Sequence, residues 1–383
     1  MALHFDEAEF ASRRDRLAVA MADQKLDAVL LFAQESMYWL TGYDTFGFCF
    51  FQCLVVKADG EMVLLTRSAD LRQARHTSNI ENIVIWTDRA GANPAVNLRD
   101  LLNDLDLLGC RIGVEFDTHG LTAHSGRQLD EQLQTFGSIV DASGLVSGLR
   151  LIKSPAEIEK VRKAAALADD ALDAGLKLIG RGADEGKILA AMQGAVFEGG
   201  GDYPANEFII GSGEDALLCR YKSGRRKLAA NDQLTLEWAG VYNRYHAAMM
   251  ETVLTGKVSK RHRELFEAAQ AALAAVENAM VPGNTFGDVF DAHARAMEAH
   301  GLTKHRLNAC GYSLGARYTP SWMERQMFYT GNPEPVAPDQ TLFAHMIIMD
   351  SETGTAMCLG RTYLTTAGAP ECLSRHTPDL IVR

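Results

Sequence analysis

Residues 151–179, LIKSPAEIEKVRKAAALADDALDAGLKLI, divide this chain into two differently patterned parts. Ser154 stands as an N-cap, Pro155 fills the first helical turn and Glu157 holds the capping-box position. Apolar residues then recur at helical spacing for about twenty residues. A long helix therefore begins here, and it opens a second domain. Ahead of it the pattern alternates. EFASRRDRLAVAMADQ has helical periodicity, DAVLLF has strand length, and QCLVVKADGEMVLLT is two apolar runs around the turn ADG. NIVIW, RIGVEF and SIVDA read as strands, separated by helical stretches around 94–107 and 120–135. Residues 1–150 are thus expected to form a small α/β domain.

Beyond the long helix, DEGKILAAMQGAVFEGG, RELFEAAQAALAAVENAMVPG and FGDVFDAHARAMEAHG are helical, the last two closed by glycine. They alternate with the strand-like runs EFIIGSG, DQLTLEWAGVYNRYHAAMMETVLTG, QTLFAHMIIMD and TAMCLGRTYLTT. Paired helices over an antiparallel sheet make an α+β arrangement for residues 151–383. A length of 383 residues accommodates both domains.

Charge narrows the function. A net charge of -11 and a pI near 5.5 leave no basic footprint for nucleic acid. No run reaches the ~18 apolar residues of a membrane span, and MALHFDEAEF is too charged for a signal peptide core. The expectation is a cytoplasmic protein acting on a small molecule, with neither nucleic acid nor membrane as partner. The seven cysteines form no CxxC pair, which reads as reduced, mostly buried thiols.

Six segments carry a resemblance over nearly the whole chain: LTGYDTFGF, LIKSPAEIEKVRKAA, GGDYPANEFIIGSG, LTLEWAGVYNRYH, VPGNTFGDV and GYSLGARYTPSWMER. In this order they resemble the creatinase and Xaa-Pro aminopeptidase family, nearest its ectoine hydrolase branch through GGDYPA, AGVYNRYH and GYSLG with YTPSW. The resemblance implies a creatinase-like N-terminal domain, a C-terminal "pita-bread" domain, and a homodimer in which one N-terminal domain covers the other subunit's site. It also implies where two metal ions would be held in the metallopeptidase members: the first aspartate falls on Glu237, the second on Ala248, the histidine on Tyr312, the first glutamate on His345 and the last near Arg361. Two divalent ions need several carboxylate oxygens. Ala248 supplies none and Arg361 brings a cation, so no metal and no cofactor are expected. Creatinase and ectoine hydrolase are metal-free relatives that hydrolyse C–N bonds, and the expected activity moves toward theirs.

Such chemistry needs a base or nucleophile, a proton for the leaving nitrogen and donors for developing charge. Glu237, on the apolar strand LTLEWAG, is the leading base or nucleophile; its alternative is a buried glutamate paired with an arginine. The histidine that serves the metal-free relatives falls on Arg220, which cannot shuttle protons but can hold a carboxylate. His345 and His246 are the candidates to take over the proton, set against the plain reading of hydrogen-bonded core histidines. Tyr312 is a candidate donor or a packing residue. Trp322, Tyr203, Phe46 and Phe48 could line an aromatic box for a cationic body. Arg220, Arg361 and Arg317 are candidates to bind a carboxylate. Cys358 is read as an inert buried thiol rather than a nucleophile. Two other functions stay open: a metallopeptidase with ligands rebuilt from Glu237, His345 and Cys358, and a catalytically inactive ligand-binding relative.

Overall fold

In the computed structural model, which describes residues 3–220 and 225–383, the chain parts between Arg150 and Leu151 into two units. The first holds α1 (Glu7–Asp23), β1 (Ala28–Leu31), α2 (Gln34–Thr41), β2 (Cys53–Lys57), β3 (Met62–Arg67), α3 (Leu71–Thr77), β4 (Asn82–Trp86), α4 (Pro94–Asp104), β5 (Arg111–Val114), α5 (Ala123–Leu133), β6 (Ser138–Asp141) and α6 (Leu145–Leu149). Its six strands pair in the order β4-β3-β2-β1-β5-β6. The ADG turn gives an antiparallel β2–β3 hairpin, whereas β1–β5, β5–β6 and β3–β4 are parallel, with α3 joining β3 to β4 and α5 joining β5 to β6. This is the small α/β domain of the sequence pattern.

One helix there escapes sequence reasoning. Apart from Glu35, every residue of α2 is buried, so it has no polar face to betray its period. Its N-terminus carries no local cap. Glu115, far along the chain, accepts the Phe32 and Ala33 N–H groups at 3.0 Å each and the Ser36 hydroxyl at 2.6 Å, doing the work of one.

The second unit holds α7 (Pro155–Leu176), α8 (Glu185–Glu198), β7 (Ile209–Ser212), β8 (Asp232–Tyr242), β9 (Tyr245–Thr255), α9 (Lys260–Ala279), α10 (Phe286–Ala299), β10 (Gly311–Ser313), β11 (Thr341–Asp350), β12 (Thr355–Leu364) and the short β13 (Glu371–Cys372). The α7 capping box forms: the Glu157 N–H donates to Ser154 Oγ at 3.2 Å and the Ser154 N–H to Glu157 Oε2 at 2.9 Å. The sheet runs β10-β11-β12-β9-β8-β7 and all its pairings are antiparallel.

Alternation along these strands decides which side chains meet the helices. Leu236 and Trp238 turn toward α7, where the Trp238 indole N–H donates to the Ala168 carbonyl at 2.8 Å. Gly240 permits that approach, since a Cβ there would stand 1.9 Å from the Ala164 carbonyl oxygen. At the other half of the sheet Met357, Leu359 and Tyr363 of β12 pack with α9 and α10. The intervening positions face away from the helices. No helix among the described residues is long and apolar enough to cross a membrane.

Candidate active site

The strand register aligns one row across the helix-free face: His345 opposite Gly360, Gly360 opposite Met250, Met250 opposite Glu237, and Glu237 opposite Ile209. Ala248 lies on the same face, one pair further along β9, opposite Ala239. Glu237 is therefore a carboxylate set among apolar neighbours. Burial raises its pKa to about 7, against the opposing pull of the Arg220 guanidinium and of a hydrogen bond from Tyr312. The Tyr312 hydroxyl lies 3.5 Å from Glu237 Oε1, and the Trp322 indole N–H donates to that hydroxyl at 2.8 Å.

Beside this group opens a cleft of about 490 Å³. Arg220, Tyr203, Asn206 and Ile209 line it, Ile209 being the strand partner of Glu237. The charge of Arg220 acts on Glu237, Tyr312, His345 and Cys219 alike. Glu237, Tyr312, Trp322, Arg220 and His345 thus form one neighbourhood. Tyr203 stands at its edge, three-quarters exposed and edge-to-face with Phe197 at 4.8 Å.

The two histidines differ from the expectation of a proton shuttle. Burial drives both pKa values down to about 3, so each is neutral at physiological pH. His246 is an anchor: its Nε2 accepts the Ala205 N–H at 2.9 Å, which leaves Nδ1 to carry the proton toward the Gly315 carbonyl at 3.4 Å. His345 is different. It packs against the Tyr312 and Phe343 rings at 5.6 and 5.5 Å, and its buried Nδ1 has no hydrogen-bond partner among the described residues. As a neutral imidazole it is a hydrogen-bonding group, not an imidazolium acid.

Arg361 also departs from its expected place. A one-residue step along a strand reverses the face, and Arg361 shares the helix side with Leu359 and Tyr363. There it bonds Glu251 Oε1 at 2.5 Å and the carbonyls of Gly360, His376 and Thr377. The residue that faces the cleft row at this point of β12 is Gly360. A Cβ at Gly360 would stand 2.7 Å from the Phe343 ring, so that ring fills the space a longer side chain would claim. Arg317 bonds the Ser321 carbonyl at 3.3 Å and Glu324 at 3.5 Å. Phe46 and Phe48 belong to the first unit, Phe46 exposed and Phe48 buried, with rings 6.2 Å apart.

Sequence reasoning passed over Glu251, Asn206, Gly360 and Cys219. Glu251 was findable: a carboxylate within the apolar run AAMMETVL needs a buried cation, and Arg361 in LGRTYL is one.

Residues 159–367 match the metallopeptidase family M24, and residues 13–152 match the creatinase/prolidase N-terminal domain. The chain belongs to family M24. Among curated relatives of this M24 hydrolase, ectoine hydrolase of Halomonas elongata is 30% identical over 365 residues, 90% of each chain. An uncharacterized hydrolase/peptidase of Sinorhizobium fredii, y4tM, is 28% identical over 100% of this chain and 99% of its own. Solved structures share the fold: a dipeptidase from Pyrococcus horikoshii with a TM-score of 0.84 at 20% identity, covering 97% of this chain and 100% of that one, and a prolidase from Thermococcus sibiricus with 0.87 at 17% identity, covering 98% and 99%.

The family name implies metal, and the residues here do not fit a pair of ions. Glu237 is the one carboxylate in the row; Ala248 and Gly360 offer no ligand atom, and Tyr312 and neutral His345 bring no negative charge to offset two divalent ions. Among the described residues, the one group of at least three His, Cys, Asp or Glu whose ligand atoms gather is His305, Asp350 and Glu352. Its Asp350 is already bound by Arg261 at 2.7 Å. Glu237, His345 and Cys358 do not gather in this way. Cys358 is buried, with its thiol pKa pushed well up and its backbone N–H bonded to Thr252 Oγ1 at 2.8 Å.

Proposed function

We propose that this M24 hydrolase cleaves a C–N bond in a small zwitterionic or cyclic nitrogen metabolite without a dinuclear metal centre, with Glu237 as general base or covalent nucleophile. The observation that carries this reading is Glu237 itself: a buried carboxyl poised near neutrality, under the charge of Arg220 and beside Ile209, both of which line a cleft. The similarity to a protein named ectoine hydrolase supports it.

A glutamate poised near pH 7 removes the need for a separate histidine. In the general-base form of the reaction, ionised Glu237 takes a proton from water as the hydroxide attacks the substrate carbon. The same proton then passes to the leaving nitrogen, which departs as an amine, and Glu237 returns ionised. Tyr312 holds one carboxyl oxygen. Arg220 offers its charge to a substrate carboxylate or to the oxyanion that develops at the attacked carbon. His345, neutral and with a free nitrogen, adds a hydrogen bond without competing for the proton.

We propose also that the chain acts as a homodimer whose N-terminal domain covers the partner copy's cleft, with Phe46, 73% exposed, as the aromatic it brings. Sedimentation at micromolar concentration would then give the mass of two chains, and a monomer would contradict it.

A thermal-shift screen of cyclic amides, amidines and guanidino acids, followed by product detection on each stabilising compound, tests the activity. The expected result is stabilisation and turnover by at least one compound, with turnover lost in Glu237→Gln. Stabilisation without turnover would mark a ligand-binding relative. Turnover only of Xaa-Pro dipeptides, and only with added metal, would return the chain to the peptidases.

A further inference from the structure

Trp322 is almost fully buried, yet both of its N–H groups are directed. Its indole N–H donates to Tyr312, and its backbone N–H donates at 3.2 Å to Asn206 Oδ1 on the cleft wall. A phenol oxygen that accepts one strong hydrogen bond still has a single proton to give. Among the described residues the Tyr312 hydroxyl has one other partner, Glu237 Oε1 at 3.5 Å. Glu237 Oε2 has none. The chain of groups therefore has a direction: indole to phenol, phenol to carboxylate.

We propose that Trp322 is a positioning residue for Glu237, committing the Tyr312 hydroxyl to donate to Oε1 and so leaving Oε2 as the oxygen that meets the substrate.

The physical content lies in what the hydroxyl would do alone. A free phenol can donate to a carboxylate, or it can rotate and accept from a carboxylic acid, so it stabilises either protonation state. With Trp322 donating to its oxygen, rotation would bring two donors face to face, and only the donating arrangement survives. The ionised carboxyl gains and the protonated one does not. Trp322 also couples this arrangement to the cleft, because Asn206 is both a wall residue and its backbone partner.

The proposal rests on the reading that Glu237 is the reacting group, but its test reads the carboxyl and the indole directly and requires no substrate. Groups facing Glu237 from the surrounding elements are Arg220 and Cys219, Cys358 of β12 and Tyr312 of β10. Both thiols are shifted to higher pKa by burial, and the nearby His345 titrates far below neutrality. A neutral-range titration in this cluster therefore belongs to Glu237.

The full chain labelled with 15N at its tryptophan indoles is titrated by NMR. One indole signal, that of Trp322, is expected to move with a midpoint near neutral pH and to become flat in Glu237→Gln and in Tyr312→Phe. Trp238, whose N–H donates to Ala168 on the opposite face, serves as the stationary reference. In parallel, 13C-carboxyl titration of Glu237 in folded Trp322→Phe is expected to show the midpoint raised by about half a unit or more. A Trp322 signal indifferent to pH, or one whose movement persists in Glu237→Gln, would overturn the proposal even if Trp322→Phe did not fold. So would an unshifted Glu237 midpoint in folded Trp322→Phe while Tyr312→Phe shifts it, because Trp322 would then only pack. If the positioning result holds while the substrate screen finds nothing, the relay stands and the hydrolase reading fails.

Discussion

Two glutamates occupy adjacent rows of one sheet and point to opposite faces: Glu237 of β8 pairs with Met250, and Glu251 of β9 pairs with Leu236. Burial raises both pKa values to about 7, and an arginine opposes the rise in each case. Their partners set them apart. Arg361 is itself almost completely buried, bonds Glu251 at 2.5 Å and spends its remaining donors on backbone carbonyls. Arg220 is an exposed lining residue of a 490 Å³ cleft, and among the described residues the one hydrogen bond to the Glu237 carboxyl is a long one from Tyr312. A perturbed carboxyl is thus a poor marker of function by itself. What separates the proposed base from the brace is whether the counter-charge is consumed inside the fold or left facing a cleft.

That contrast can be broken experimentally. The largest expected effect is on turnover. Glu237→Gln should lower kcat/KM by about two to four orders of magnitude for whichever substrate the screen identifies. Activity near that of the wild type would end the assignment of Glu237 as base. Next comes stability on the other face. Arg361→Ala should cost about 3–5 kcal/mol in urea unfolding, because it strands Glu251 in an apolar layer, while kcat of the folded protein holds. An intact stability with lost turnover would exchange the roles of the two pairs. His246→Ala follows at about 1–3 kcal/mol, the cost of orphaning the Ala205 N–H, without displacing the pH profile of the reaction.

The subtlest expectation concerns pH. A carboxyl whose pKa rises on folding favours the folded state while protonated, and this contribution is lost as pH climbs from its ordinary value near 4.5 through about 7. Glu237→Gln removes that loss. Its stability relative to the wild type should be flat below about pH 4.5, grow between there and about pH 7, and stay higher above, as followed by denaturant midpoints at each pH. A difference of the opposite sign would mean that folding favours the ionised carboxyl and that its environment is polar.

Much of the frame could be read along the chain because the signals were local. The capping box of Ser154 and Glu157, the ADG hairpin and the two-residue alternation from Glu237 through Ala239, carried across the β8–β9 turn to Ala248, are all properties of neighbouring residues. The errors arose where a distant contact decided the outcome. Arg361 lies one residue from the position in the cleft row, but in a strand one residue is the difference between the cleft and the helix layer. His246 faces the same side as Ala248, yet its nitrogens are taken by Ala205 and Gly315, which no spacing could foretell. Helix α2 is capped by Glu115 from just past β5, and the room above Gly360 belongs to Phe343 of the adjacent strand.

Metal stoichiometry tests the central claim most directly. The purified chain is dialysed against Mn²⁺ or Co²⁺, cleared of free ion and assayed by elemental analysis beside Glu237→Gln. The account predicts well under one ion per chain, the same value in both proteins, and a melting temperature indifferent to chelator. Two ions per chain, lost in Glu237→Gln and stripped by chelator with a fall in melting temperature, would contradict it.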